Sequence, residues 1–244
     1  MDHWLSHMSD PTKLILAWQA DDAVGDRFRW AVAEVTPAAE GCRLRYYSDE
    51  EFDRLNDGRT YGQLTDYGYR GYPGFAPKHS IHTSGVAEAS LRRLPPRARS
   101  DFEAYQAHFR IPPNAKLSDL ALLGITEAKL PNDGFSLVDP FISQTAPLEL
   151  LNEVAGHRYY MANLARVPSV GDTVEIVAEP GNAADAGAVQ FLVKGAKIGN
   201  VNRLQAPAFL RWLQSNRVSG VIERINGKLI RPRIFVFVEV RPLE

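Results

Sequence analysis

A single cysteine, Cys42, in 244 residues excludes an intramolecular disulfide and any cysteine-rich zinc site, and such usage fits a reducing compartment. No run approaches the ~18 consecutive apolar residues of a membrane-spanning helix. The N-terminal MDHWLSHMSDPTK has no basic region followed by an apolar core, so it does not read as a secretory signal. A cytoplasmic location without a membrane partner is the expectation. Internal repeats and low-complexity tracts are absent as well. So are the enzyme signatures: G-x-x-x-x-G-K-[ST], G-x-G-x-x-G after a strand, G-x-S-x-G and H-E-x-x-H are all missing. The expectation is a binding protein with no catalytic residue, no cofactor and no metal.

What is present is ordinary globular composition, 45% apolar and 23% charged, in a chain long enough for one large domain or two smaller ones. The formal net charge of −1 hides an asymmetry. Residues 151–244 carry 12 Lys and Arg against 8 Asp and Glu, whereas residues 1–150 carry 16 against 21. The positive half permits contact with phosphates, and the acidic half argues against a surface that coats duplex DNA. Any nucleic-acid contact is expected to be local.

The first half reads as mixed α and β. Leu14–Trp18 and Phe28–Val32 are strand-like, and Cys42–Tyr46 alternates at period two. Ser48-Asp-Glu-Glu51 is a capping box that opens a short helix bearing Phe52 and Leu55, with Gly58 as its stop. Residues 59–86, rich in Gly and Tyr, read as a long ordered loop. Ser100 and Ser118 each precede a further helix, the second ending at Gly124, and Phe135–Asp139 reads as a closing strand. Pro140–Pro147 interrupts all periodicity and marks the boundary between residues 1–146 and 147–244.

The second half predicts strands near 154–163, 173–178, 187–193, 197–201, 219–225 and 233–240, with one helix at 207–215. Short strands plus one helix in ~90 residues suggest a small OB-like barrel. The fold class is therefore α+β, a mixed N-terminal domain followed by an OB-like β-barrel.

Five constellations bear on chemistry. His79 and His82 flank Ser80 and precede Ser84, a spacing that specifies no nucleophile–base pair. Arg92, Arg93, Arg97 and Arg99 offer bidentate forks to phosphate, but pairing with the abundant acidic residues of their own half is the favoured reading. Tyr61, Tyr67, Tyr69 and Tyr72 either stack on bases or cover their own core. Gly156-His-Arg-Tyr-Tyr160 is more telling. On a strand, Arg158 and Tyr160 face one side and Tyr159 the other, and a cation beside aromatic rings suits single-stranded nucleic acid. In the loop AEPGNAADAGAVQF (178–191), Asn182 and Asp185 suit either an Asx turn or ligand contact.

VAGHRYY (154–160), EP-x-N-x-x-D-x-x-AV (179–189) and G-x-K-I-G-N-V (195–201), in that order, resemble the HIRAN domain. That family occurs at the front of helicase-like DNA-repair remodelers and alone in bacterial proteins. The resemblance implies a modified OB fold that captures the free 3′-hydroxyl end of single-stranded DNA, accessory to repair or defence. Carried onto this chain, Arg158 and Tyr159 match the pair that contacts phosphate and stacks the terminal base. Asn182 and Asp185 match the polar loop positions, the acidic one accepting from the 3′-hydroxyl, and Arg203 falls near a backbone-contacting basic position. With Tyr160, these form the expected DNA-binding set. The family often has Asn-Pro-Tyr-Asp where this chain has Asn182-Ala183-Ala184-Asp185, so a second stacking ring is missing. Gly187 and Ala178 also depart from the usual Asn and Arg. The first half is loosely similar to regions preceding HIRAN in bacterial proteins and, distantly, to the N-terminal domain of HipA-type kinases. It is expected to dock a partner such as a helicase or nuclease. The alternative is a protein–protein adaptor that keeps the fold and has lost DNA-end binding.

Overall fold

Strand β1 (Leu14–Gln19) is buried at its first five positions, so both of its faces are covered. The structure, a computed structural model, describes residues 3–21, 27–77, 79–164, 166–228 and 231–243. Antiparallel neighbours β2 (Arg29–Ala38), β3 (Gly41–Tyr46), β4 (Ile81–His82) and β5 (Phe135–Val138) complete a five-stranded sheet in the order β4-β3-β2-β1-β5. The pairing of Trp18 with both Trp30 and Phe135 sets large rings across the sheet centre. α1 (Asp49–Leu55) carries the expected capping box, Ser48 and Glu51 bonding reciprocally, and buries Phe52 against Trp30.

The stretch 59–86 is not one loop. Thr60 and Gln63 form a second capping box that starts α2 (Tyr61–Asp66), and β4 follows before α3 (Val86–Leu91). Lys78 of this stretch lies outside the described residues. The polar Thr-x-x-Gln signal was legible but sits inside a Gly- and Tyr-rich composition that masks it. α4 (Phe102–His108) follows, and α5 (Asp119–Thr126), capped by Ser118, runs two residues past Gly124.

The second sheet is built from β6 (Leu148–Glu153), β7 (Thr173–Ala178), β8 (Val189–Val193), β9 (Ala196–Asn200), β10 (Asn216–Lys228) and β11 (Arg231–Pro242), antiparallel in the order β6-β11-β10-β7-β8-β9. β7 and β8 alternate buried and more exposed positions, as half-covered strands do. α6 (Ala206–Ser215), with Pro207 in its first turn, buries Phe209 and Trp212 in one core with Phe191, Ile198, Ile222 and Val236. Each such side chain contributes roughly 1.5–3 kcal/mol by leaving water.

Two expectations are corrected here. The strand expected over 154–163 lies earlier, at β6; residues His157–Tyr159 and Met161–Asn163 form 3-10 turns, because Gly156 takes a left-handed φ of +69° and turns the chain away. The ladders do not describe a closed barrel either. Among the described residues the outer strands β6 and β9 are not paired in a ladder, and an isolated bridge joins Ala155, beyond β6, to Asn200 at the end of β9.

The chain forms two compact units, and the division is not a single cut along the sequence. One comprises residues 10–102 and 116–140. The other comprises residues 141–244 together with 1–9 and 103–115. Within this second unit, the His3 ring stacks on Phe237 at 4.9 Å, Glu149 N–H donates to His7 O, and Leu5 N–H donates to Arg110 O. The His3 ring thus covers Phe237, on the face of β11 opposite the buried Ile234, Val236 and Val238.

Candidate nucleic-acid interface

The GHRYY segment is held from below. The buried His157 donates from Nδ1 to Ile198 O at 2.6 Å, and Ala155 and Asn200 exchange backbone hydrogen bonds of 2.8 and 2.9 Å. Gly199 makes this approach possible: a Cβ there would lie 2.4 Å from Val154 Cγ1 and 2.5 Å from Ala155 O. The motif pieces GHRYY and GAKIGNV are thus two sides of one contact.

On a 3-10 turn the period-two alternation no longer applies. Arg158 and Tyr159 both face outward, and Tyr159 keeps 60% of its surface exposed. The Arg158 guanidinium lies 4.7 Å from the Tyr159 ring centroid, and its Nη2 donates to Tyr159 Oη at 2.6 Å. A cation and an aromatic face are therefore presented side by side. Tyr160 turns the other way: its hydroxyl donates to Asn200 Oδ1 at 3.3 Å, and Lys197 Nζ sits 4.6 Å from its ring centroid.

The loop between β7 and β8 is organised by Glu179. Its carboxylate accepts from Lys197 Nζ at 2.7 and 2.5 Å, from Asn182 Nδ2 at 2.7 Å and from Asn200 Nδ2 at 3.1 Å. Burial pushes the Glu179 carboxyl pKa up, but the bonds from Lys197, Asn182 and Asn200 outweigh it and hold the group below its ordinary value. Burial lowers the Lys197 pKa, and the Glu179 and Tyr160 contacts more than reverse this. Both partners therefore favour the charged pair. Tyr160, Asn200, Glu179 and Asn182 form a continuous chain of hydrogen bonds from the turn to the loop.

Asn182 and Asp185 are each used in turns. Asn182 Oδ1 accepts from the Ala184 and Asp185 N–H groups at 2.9 and 3.1 Å, and Asp185 Oδ1 accepts from Gly187 N–H at 2.8 Å. Asp185 Oδ2 has no hydrogen-bond partner among the described residues. Arg203 is half-buried, three residues past β9 on the way into α6. Glu179, Lys197 and Gly199 were missed as individuals in the sequence. Each lies inside a quoted motif, but their meeting depends on the register that sets Ala178 opposite Val189 and Gln190 opposite Asn200.

This is the segment in which the family match falls. Residues 149–241 match the HIRAN domain. The HIRAN domain is a DNA-binding domain, which supports nucleic-acid binding by this part of the chain. The chain is also similar to the HIRAN domain of human HLTF, at 21% identity over 37% of this chain and 75% of that one, with a TM-score of 0.29. A protein from Lactobacillus plantarum is 24% identical over 38% of this chain and 97% of its own, with a TM-score of 0.30. No curated protein matches the chain.

Outside the HIRAN segment, the other constellations resolve structurally. His82 Nε2 bonds to Ala76 O at 3.1 Å, and its ring packs edge-on against Tyr46 and Phe75. Arg93, Arg97 and Arg99 pair with Asp133, Asp119 and Asp101. Among the described residues no cluster of His, Cys, Asp and Glu could hold a metal ion, and no helix is long and apolar enough to cross a membrane.

Proposed function

We propose that the HIRAN segment binds single-stranded DNA and recognises its free 3′-hydroxyl end. The observation that carries this reading is the outward Arg158–Tyr159 pair, joined to the 178–188 loop through Tyr160, Asn200, Glu179 and Asn182. In this reading Arg158 neutralises a phosphate, Tyr159 stacks the last base, and Asp185 Oδ2 accepts from the terminal hydroxyl. Asn182 shapes the loop, and Arg203 meets the backbone further along the strand. The protein acts by binding rather than catalysis, beside a helicase or nuclease in repair or defence, with the unit containing residues 10–102 as the docking part.

The test compares a short oligonucleotide ending in a 3′-hydroxyl with the same strand ending in a 3′-phosphate. Tighter binding of the hydroxyl form, and loss of that preference in Asp185→Asn, is expected. Equal affinity for both ends removes end recognition, and no binding at low salt removes DNA. A second reading, a protein–protein adaptor, is favoured by one observation: position 184 is Ala, so the loop offers no ring beside Asp185. Absence of DNA binding at low salt in the folded protein is the outcome that selects it.

A further inference from the structure

Two arginines of this protein show what the Nε/Nη2 edge of a guanidinium does here. Arg99 applies that edge to both oxygens of Asp101, at 2.8 and 2.5 Å. Arg233 applies it to both oxygens of Glu153, at 2.7 and 2.8 Å. Arg224, close to Arg233 on the β10–β11 hairpin, has the same two donors, Nε and Nη2, inaccessible to solvent and without a hydrogen-bond partner among the described residues. Such a side-on fork matches two oxygens of one oxyanion, and a buried donor left unmade carries the full cost of its desolvation.

The surroundings explain why no carboxylate of the described residues fills the fork. Glu223, at the irregularity in the β10 register, is turned to His3 Nδ1 at 2.5 Å and to Arg110 at 2.7 Å. Glu153 is held by Arg233. The remaining Arg224 donor, Nη1, bonds to His108 O, and the guanidinium lies 4.4 Å from the Phe235 ring centroid, with Arg233 5.3 Å from the same ring. Among the described residues, three guanidiniums, Arg110, Arg224 and Arg233, are thus set against two carboxylates, Glu153 and Glu223. Burial first, then Arg110 and Arg233, lower the Arg224 pKa; burial, then Arg224, Arg233 and Arg110, hold the His108 imidazole below its ordinary value. Among these described side chains the excess charge is positive.

We propose that the Arg224 fork is a binding site for a phosphate group, separate from the Arg158–Tyr159 surface. The partly buried Arg224 side chain gives up the His108 carbonyl, turns its Nε and Nη2 outward, and takes two phosphate oxygens while Phe235 supports the guanidinium plane. The phosphate is either free or part of a nucleic-acid backbone; the chemistry at the fork is the same.

The experiment titrates the full chain with inorganic phosphate against chloride at constant ionic strength, following the Arg224 Nε–Hε resonance and the unfolding midpoint. Movement of that resonance and a phosphate-dependent rise in midpoint are expected. Arg224→Lys, which keeps the charge and loses the fork, should weaken phosphate binding by about tenfold or more, each protein being compared with its own chloride baseline. An Arg224 resonance unmoved at tens of millimolar phosphate, or an equal phosphate effect in Arg224→Lys, overturns the site. A short oligonucleotide added to the phosphate-loaded protein separates the sources. Displacement of phosphate at Arg224 assigns the fork to a nucleic-acid backbone, and persistence of the phosphate-shifted resonance assigns it to free phosphate. Neither phosphate readout depends on whether the Arg158–Tyr159 surface binds DNA.

Discussion

Tyr69 and Tyr159 both stand in Gly- and Tyr-rich sequence with an arginine beside them, yet one is 2% exposed and the other 60%. In the unit of residues 10–102 and 116–140, Tyr69 meets Trp18, Tyr61 and Phe135 while its neighbour Arg70 stays exposed, and the buried Arg93, over the Tyr72 ring, gives its donors to Asp133, Ala128 O and Phe135 O. In the HIRAN unit, Gly156 turns the chain so that Arg158 and Tyr159 point away from the core together. A basic residue next to an aromatic one is therefore no signature of a binding surface. What separates the cases is whether neighbouring elements supply a cover for the ring.

The largest effect expected from this contrast is on folding. Tyr69→Ala removes a fully buried ring and should cost about 3–5 kcal/mol in urea unfolding, without altering how the HIRAN unit meets an oligonucleotide except through the fraction folded. Gly199→Ala should cost about 1–3 kcal/mol, because the new Cβ collides with Val154 and Ala155. It should also weaken oligonucleotide binding, since the GHRYY turn loses its support. Tyr159→Ala inverts the pattern: stability should stay within about 0.5 kcal/mol, and single-strand binding should fall by about 1–3 kcal/mol. If Tyr159→Ala destabilises as Tyr69→Ala does, the contrast between the two rings disappears.

The smallest effect is the pH response of the loop. Glu179 has a folded pKa below its ordinary 4.5, so its stabilisation is complete above that value and is lost as pH falls through the folded pKa. Lys197 has a folded pKa above its ordinary 10.5, so its share is complete below that value and is lost as pH rises through the folded one. The loop should stay ordered across neutral pH and loosen first on the acid side. Amide exchange at Ala184 and Asp185 measures this, and Glu179→Gln should remove the acid transition at a cost within about 1 kcal/mol, as for other partly exposed pairs.

Much of the framework was legible in order along the chain. Strands at Leu14–Gln19, Gly41–Tyr46 and Thr173–Ala178, the Ser48 capping box and the helix at Ala206–Ser215 follow from period, caps and Pro placement, all local signals. The three HIRAN pieces were legible as well, because their residues lie close along the chain. The strand expected at 154–163 failed for a specific reason: apolar and aromatic residues there alternate, but the left-handed Gly156 is a single-residue event that periodicity does not weigh. The helix at Tyr61–Asp66 is masked because its Thr60–Gln63 cap spans four residues inside a much longer Gly- and Tyr-rich stretch.

By itself the sequence determined the α+β class, the HIRAN character of the C-terminal part and the identity of Arg158, Tyr159, Asn182 and Asp185 as candidates. Only the tertiary structure decided which of those side chains face outward, and that Glu179 and Lys197 tie the loop to the turn. It also decided that residues 1–9 and 103–115 belong with the HIRAN unit, and that Arg224 holds an unanswered fork. The reason is range. Caps, turns and strand periods act over a few residues, whereas burial and ion pairing depend on which distant segments the sheet register brings together.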